Sequence, residues 1–411
     1  MGKARKGYRR GKGKRDVKLA VVYCNFGPYH VARAKALAAI RSITPVCIEV
    51  ADHQGTHPWT KDSRREIPIR TLFRGASWEQ LPSRRIGDHL VAALEEEEPD
   101  VVATIGYGWG FMRRAALWAM RTRRGSVLMH ETARQDKRRL PWKEAIKGWI
   151  IARHYHAALV GGKSHGDYLA ELGFPRERMW APHSVVDNGW FAQEVQRVRQ
   201  AERAWRERLG VPPRYFVFVG RLASEKNVER LLEAYRRYRS SSSSDWGFVI
   251  LGDGPLREKL ERQARANRLP KILFRGFVPN EDLPPYYALA GCFVLPSLVE
   301  PWGLVVNEAM ASSLPVLISD RCGCVPDLVS ERNGFLVEPT DVAGLTRLLE
   351  RVASMSSSDL EAMGRASREI VERFSPEAWA RGLHAAARCA WEAAYGTEAC
   401  EPQVSRVERG A

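Results

Sequence analysis

The sequence predicts two doubly wound α/β domains, and three observations carry that expectation. Its 411 residues exceed what one ordinary core holds, so two domains are expected. Between residues 16 and 173, short apolar runs of strand length alternate with helical patterns. A fresh set of alternations opens at Tyr215, after a stretch at 188–213 that has few strand signals and ends in Gly210-Val-Pro-Pro213. The expected layout is a basic, disordered tail at 1–15, a first domain at 16–195 and a second at 196–374. A last helix, at 375–396, crosses back to the first domain.

The elements follow in order. Residues 16–23 give the first strand, ending in Asn25-Phe-Gly-Pro-Tyr-His30 before a helix to Arg41 and a strand at 45–50. In open parallel sheets such a turn faces ligand. It is not a GxGxxG fingerprint, which argues against NAD or FAD. Residues 84–98 read as a helix and 101–105 as a strand closed by Gly106-Tyr-Gly-Trp-Gly110. An Arg-rich amphipathic helix runs to Arg123, and strand 126–129 ends in His130-Glu-Thr. A basic loop, a helix at 141–153, a strand at 157–160 and a helix capped by Gly173 complete the first set. Strands of the second set fall near 215–219, 246–251, 271–275, 292–295, 315–318 and 334–337. Five serines before Asp245 read as a surface loop, and Ser375-Pro376-Glu377 reads as a helix start. The polar residues after Glu398 read as loose.

Charge is unevenly placed. The net value is +16, and residues 1–15 carry eight Lys or Arg with no acid. Residues 110–155 carry twelve, against Glu131, Asp136 and Glu144, a balance of +9. Such clusters favour anionic membrane surfaces, nucleic acid or acidic substrates. A solubilising surface is the plain alternative for the tail. No apolar run approaches the ~20 residues of a bilayer span, and the basic start lacks the apolar core of a secretory signal. Seven cysteines at irregular spacings point to a reducing compartment rather than a disulfide framework. The expected location is the cytoplasm, at the inner face of the membrane if the basic patch docks there. Cys322-Gly-Cys324 has no matching ligand pair, so no metal site is expected. There is no Asp-x-Asp, P-loop, GxSxG or HExxH.

The stretch 292–308 concentrates the chemistry. A buried-strand run, Cys292 to Leu295, leads into a loop with Glu300, Pro301, Trp302 and Gly303, and a helical pattern begins near Leu304. Free amides at Gly303, Leu304 and Val305 would favour an anion. Glu300 and Glu308, with seven residues between them, suit hydroxyls. Upstream, Arg221 follows a strand and Lys226 stands five residues later, a forked cation and a point charge suited to a diphosphate. Taken alone, each reads first as a surface charge, and beside the 300–308 constellation the diphosphate reading takes over. Leu251-Gly-Asp-Gly-Pro255 would let backbone approach a ligand, and the backbone of Val278 could read a base edge. A plain strand end is the bland reading of both.

In combination, residues 215–340 resemble the C-terminal domain of the retaining GT-B glycosyltransferases of family 4. The matching residues are Val219-Gly-Arg-Leu with Lys226, Gly252-Asp-Gly, Gly276-Phe-Val, Pro296-Ser, and Glu300 to Glu308 around Gly303. The resemblance implies two Rossmann-like domains facing a cleft, with a nucleotide-sugar donor held mainly by the second. By that resemblance Arg221 and Lys226 would hold the diphosphate, beside Pro301, Trp302 and the amides of Gly303, Leu304 and Val305. Glu308 would accept from ribose hydroxyls, Glu300 from the donor sugar, and Val278 would meet the base. In the first domain, Asn25-Phe-Gly27-Pro replaces the glycine pair of many members, leaving Gly27 as the substrate-side glycine. His130 stands where many members have a histidine near the sugar, and a satisfied strand-end histidine is its bland reading.

The expected activity is retaining transfer from a nucleotide-diphosphate sugar, UDP by family habit, to a glycan, lipid-linked or other hydroxyl acceptor. It needs no cofactor or metal if Arg221 and Lys226 stabilise the leaving diphosphate. The competing readings are a GT-B epimerase or phosphorylase, which Glu-x7-Glu disfavours, and a basic membrane- or nucleic-acid-binding protein on the same scaffold. Nucleic acid is disfavoured because the chain lacks zinc fingers, an RNA-binding sheet motif or interleaved aromatics.

Overall fold

The computed structural model describes residues 16–396 apart from 54, 56–65, 138, 242 and 243. The basic tail at 1–15 and the polar end after Glu398 lie outside the described residues. Two parallel sheets organise the chain. The first contains β1 (Val17–Tyr23), β2 (Ile43–His53), β3 (Ile69–Ser77), β4 (Val101–Ile105), β5 (Gly125–His130), β6 (Ala157–Val160) and β7 (Met179–Trp180). Their spatial order is β3-β2-β1-β4-β5-β6-β7. The second contains β8 (Tyr215–Val219), β9 (Gly247–Leu251), β10 (Ile272–Gly276), β11 (Cys292–Leu295), β12 (Val316–Ser319) and β13 (Gly334–Val337). It is ordered β10-β9-β8-β11-β12-β13.

Both sheets are wound alike. Helices cover both faces, so β8 (YFVFV) and β11 (CFVL) are apolar and buried at every position. Each strand order reverses once, between β1 and β4 and between β8 and β11. Crossovers leave such a point on opposite faces and open a crevice at the carboxyl ends of the strands. In the second sheet, that crevice is flanked by the loops at 220–227 and 296–303.

The final helix, Pro376–Tyr395, packs on β5, β6 and the helix Pro28–Ala38, so it returns to the first domain as expected. Ser375 caps it by accepting from the Ala378 amide at 3.3 Å. Residues 188–209, which give little strand signal, form the helices Asn188–Gln200 and Glu202–Leu209. The first packs on Pro284–Leu289 and Leu304–Ala311, against the second domain.

Two local features differ from expectation. The helix Val228–Ser241 enters the serine run instead of stopping before it. The Ser240 and Ser241 hydroxyls donate to the carbonyls of Arg236 and Arg237, each at 3.1 Å, which satisfies its last turn. The edge strands β3 and β7 have no counterpart in the sequence reading. In β3 only Phe73 is buried, so alternation there is weak. Among the described residues no helix is long and apolar enough to cross a membrane.

Candidate active site

Glycine turns build the floor of the second crevice. The Gly220 amide donates to the Leu251 carbonyl (3.0 Å), Gly252 to Gly276 (2.7 Å) and Leu222 to Asp253 (2.8 Å). Three strand ends are thereby laced together. Gly252 has φ +145°, and a Cβ there would stand 1.9 Å from the Gly220 carbonyl oxygen. Backbone at both ends of that clash cannot give way. Gly252→Ala should therefore cost well over ~1 kcal/mol, read as a lower denaturation midpoint; an unchanged midpoint would contradict this packing.

Over the floor lies a cavity of about 590 Å³, in the size range of small-ligand sites. Arg221 stands exposed at its wall, Val278 and Asn280 follow β10, and Val305 and Glu308 come from the helix Leu304–Ala311. Tyr29 enters from the first domain. Glu308 is 4% exposed. Its Oε1 accepts from Tyr29 at 2.7 Å and its Oε2 from Tyr287 at 2.8 Å. Tyr29 Oη also lies 2.5 Å from the Asn280 side-chain oxygen. Burial holds both phenols well above their usual range, so they stay protonated and donate. Burial also raises the Glu308 carboxyl, and the two phenol donors oppose that shift.

The helix Leu304–Ala311 starts after Gly303, whose φ of +95° suits glycine. The Val306 amide donates to the Gly303 carbonyl at 2.8 Å, while the Leu304 and Val305 amides before it precede the first intrahelical bond and point a positive potential at the crevice. Beside it, Lys226 and Glu300 form an ion pair across the two switch-point loops, with side chains 17% and 10% exposed. Asn227 fixes their approach. It adopts φ +61° and donates to the carbonyls of Pro296 (3.0 Å) and Pro339 (2.7 Å), tying the Lys226 turn to the 296 loop. Sequence reading passed over Asn227. The available signal was an asparagine, tolerant of a left-handed conformation, placed directly before a helix.

Pro301 and Trp302 do not line this cavity. His165 of the first domain donates from Nε2 to the Pro301 carbonyl at 2.9 Å. This leaves the Nδ1 of the neutral ring without a proton, and burial lowers its pKa to about 4. Trp302 packs over Gly162, where a Cβ would meet its ring at 2.5 Å. Its Nε1 donates to Asn307 at 2.8 Å. Asp327 accepts from the Lys163 amide at 2.8 Å, and burial pushes it up to about 6. The loop after β11 thus serves the contact between domains.

Gly27 and His130 occupy strand ends of the first sheet. Gly27 is buried, donates to His30 Nδ1 at 3.0 Å and opens the helix that carries Tyr29. His130 closes β5, is 1% exposed, and lies with its ring near those of Tyr107 and Tyr168. Burial lowers it to about 3, so it is neutral, and its Nε2 has no hydrogen-bond partner among the described residues. Nearby, His183 Nδ1 accepts from Trp379 at 3.0 Å, which puts the proton of the neutral ring on Nε2. The structure therefore gathers Arg221, Val278, Val305 and Glu308 around one cavity. It sets Lys226, Glu300, Gly303 and Leu304 at the adjoining switch point.

Residues 201–370 match the family described as glycosyl transferases group 1. The chain is 32% identical over 238 residues to a sulfoquinovosyl transferase of Arabidopsis thaliana, covering 55% of this chain and 44% of that protein. It is 29% identical over 266 residues to a glycogen synthase of Mycobacterium tuberculosis, covering 64% and 60%. The chain spans about half the length of the curated relatives it matches. Among solved structures it is similar to Anabaena HepE in complex with UDP and glucose, with TM-score 0.69, 16% identity, and 90% and 98% of the two chains covered. A sucrose-phosphate synthase from Thermosynechococcus elongatus gives TM-score 0.67 at 19% identity, covering 92% and 100%. These likenesses establish the fold.

Proposed function

We propose that this chain, whose second domain is a glycosyl transferases group 1 domain within a GT-B fold, transfers a sugar from a nucleotide-diphosphate donor to a hydroxyl acceptor. One observation carries the reading: Arg221, the Lys226–Glu300 pair, the helix start at Gly303 and the buried Glu308 converge on a single crevice. In this reading the base lies along Val278, the ribose meets Glu308, and the diphosphate lies between Arg221 and the Leu304 and Val305 amides. UDP is the favoured nucleotide, since the similar HepE structure holds it.

The chemistry follows from those placements. Breaking the glycosidic bond leaves negative charge on the diphosphate. Fixed cations and helix amides aimed at that charge lower the barrier without reorganising at the moment of reaction. Two side-chain cations supply the neutralisation that a metal would otherwise provide. Glu300 orients the sugar hydroxyls while Lys226 turns from it to the phosphate. Attack on the same face, assisted by the leaving phosphate, retains the anomeric configuration. The acceptor, a glycan or lipid-linked hydroxyl, enters from the first domain, where the buried, unpartnered Nε2 of His130 would meet a sugar hydroxyl once the groups covering it move.

A thermal-shift screen of nucleotides and nucleotide sugars tests the reading. A cognate donor at a hundredfold excess over its Kd should stabilise the chain by about 2.7 kcal/mol. If no nucleotide sugar raises the melting temperature, the donor assignment falls. Product analysis by NMR tests the stereochemistry, and an inverted anomeric centre would remove the retaining assignment.

A further inference from the structure

The helix Pro141–His154 is amphipathic the wrong way round for a surface helix. Its buried positions are Gly148 and Ile151, and a Cβ at Gly148 would meet the Leu172 carbonyl at 2.2 Å. Its large apolar side chains point outward instead. Trp142 and Trp149 are each 62% exposed and Ile146 is 50% exposed. At 3.6 residues per turn, Trp142, Ile146, Trp149 and Arg153 fall within roughly 60° of one another, forming one stripe. Exposed Leu140 lies just before its start.

The exposed charges of the helix itself have one sign. Lys143 lies over the Trp142 ring at 5.2 Å and Arg153 over Trp149 at 5.5 Å. The one acid of the helix, Glu144, is turned inward, paired with Lys147 and hydrogen-bonded by Tyr168. Exposed tryptophans flanked by cations match the boundary between acyl chains and anionic headgroups. A protein groove would be met by the same apolar groups, but gives no reason for cations at Lys143 and Arg153 over the tryptophan rings while the one acid of the helix turns inward.

We infer that this helix is an interfacial anchor that seats the first domain on a bilayer carrying anionic lipid. Its N-terminal end adjoins the active crevice. Arg139, just before it, stacks on Tyr168 at 4.4 Å, and Tyr168 lies against His130. A seated helix holds the acceptor side of the crevice at the membrane surface, where a lipid-linked hydroxyl lies. The anchor rests on the glycosyltransferase reading only for that last step.

The test uses the full chain and two vesicle types, phosphatidylcholine alone and phosphatidylcholine with phosphatidylglycerol. The chain should sediment with the anionic vesicles, release at high salt, and show a blue shift in tryptophan emission on binding. Trp142→Ala/Trp149→Ala should weaken that binding on the order of tenfold or more and abolish the shift, with nucleotide stabilisation unchanged. Retained nucleotide stabilisation with no vesicle binding overturns the anchor alone. Equal binding to both vesicle types, or undiminished binding and shift in the double variant, also overturns it. So does a wild-type dimer that the double variant converts to monomer, which gives the face to a second copy.

Discussion

Lys226→Ala should lower kcat by about 10²–10³-fold, the loss expected when one preorganised donor to a developing anion is removed. The expectation rests on position. Lys226 lies at the switch point, held by Asn227 against the 296 loop and paired with Glu300 at little exposure. A cation so placed can exchange its Glu300 partner for a diphosphate arriving in the same crevice. The substitution also leaves Glu300 without its partner, which costs stability on its own account. Melting temperatures without nucleotide separate that loss from catalysis. Lys226→Ala/Glu300→Gln removes the stranded charge, and should restore the melting temperature but not turnover. Full turnover in Lys226→Ala would remove the residue from the mechanism.

The second large effect concerns donor affinity. Glu308→Gln should weaken nucleotide binding roughly 10- to 100-fold, since hydrogen bonds to a charged group contribute about 1.5–3 kcal/mol. Tyr29→Phe should act in the opposite direction. Its hydroxyl holds Glu308 Oε1 at 2.7 Å, the oxygen a ribose would need, while Tyr287 keeps Oε2. Removing that hydroxyl frees the acceptor and should tighten binding. Isothermal titration with UDP checks both signs. Tighter binding in Glu308→Gln would sink the ribose assignment.

Legibility of this site in the sequence followed distance along the chain. Arg221, Lys226 and Glu300 were readable because each lies in a loop after a strand end, and Glu308 because it lies in the helix that such a loop leads into; the doubly wound order gathers strand ends. Tyr29 was not, because its partner lies 279 residues away and no local pattern links them. The same holds for His165 on Pro301 and Asp327 on the Lys163 amide. Pro301 and Trp302 were legible as loop residues, but whether they faced ligand or the other domain was not. In the fold, buried strands such as β8 announced themselves, while β3, with one buried side chain, did not. The helix Pro141–His154 shows a subtler limit. Periodicity reveals a stripe, yet only packing at Gly148 shows that the stripe faces out.

The bond between Tyr29 and Glu308 sets a clock as well as a geometry. It joins the first domain to the carboxylate that the ribose meets in the proposed reading, so on that reading an arriving nucleotide meets a seat already taken. It must wait for the two walls to part. Its apparent dissociation constant is then the intrinsic one divided by the fraction of molecules standing open. Association slows by the same fraction, and release of the spent nucleotide is hastened by a phenol ready to return. On the proposed reading, a tyrosine of the first domain thereby enters the timing of each nucleotide's arrival and release.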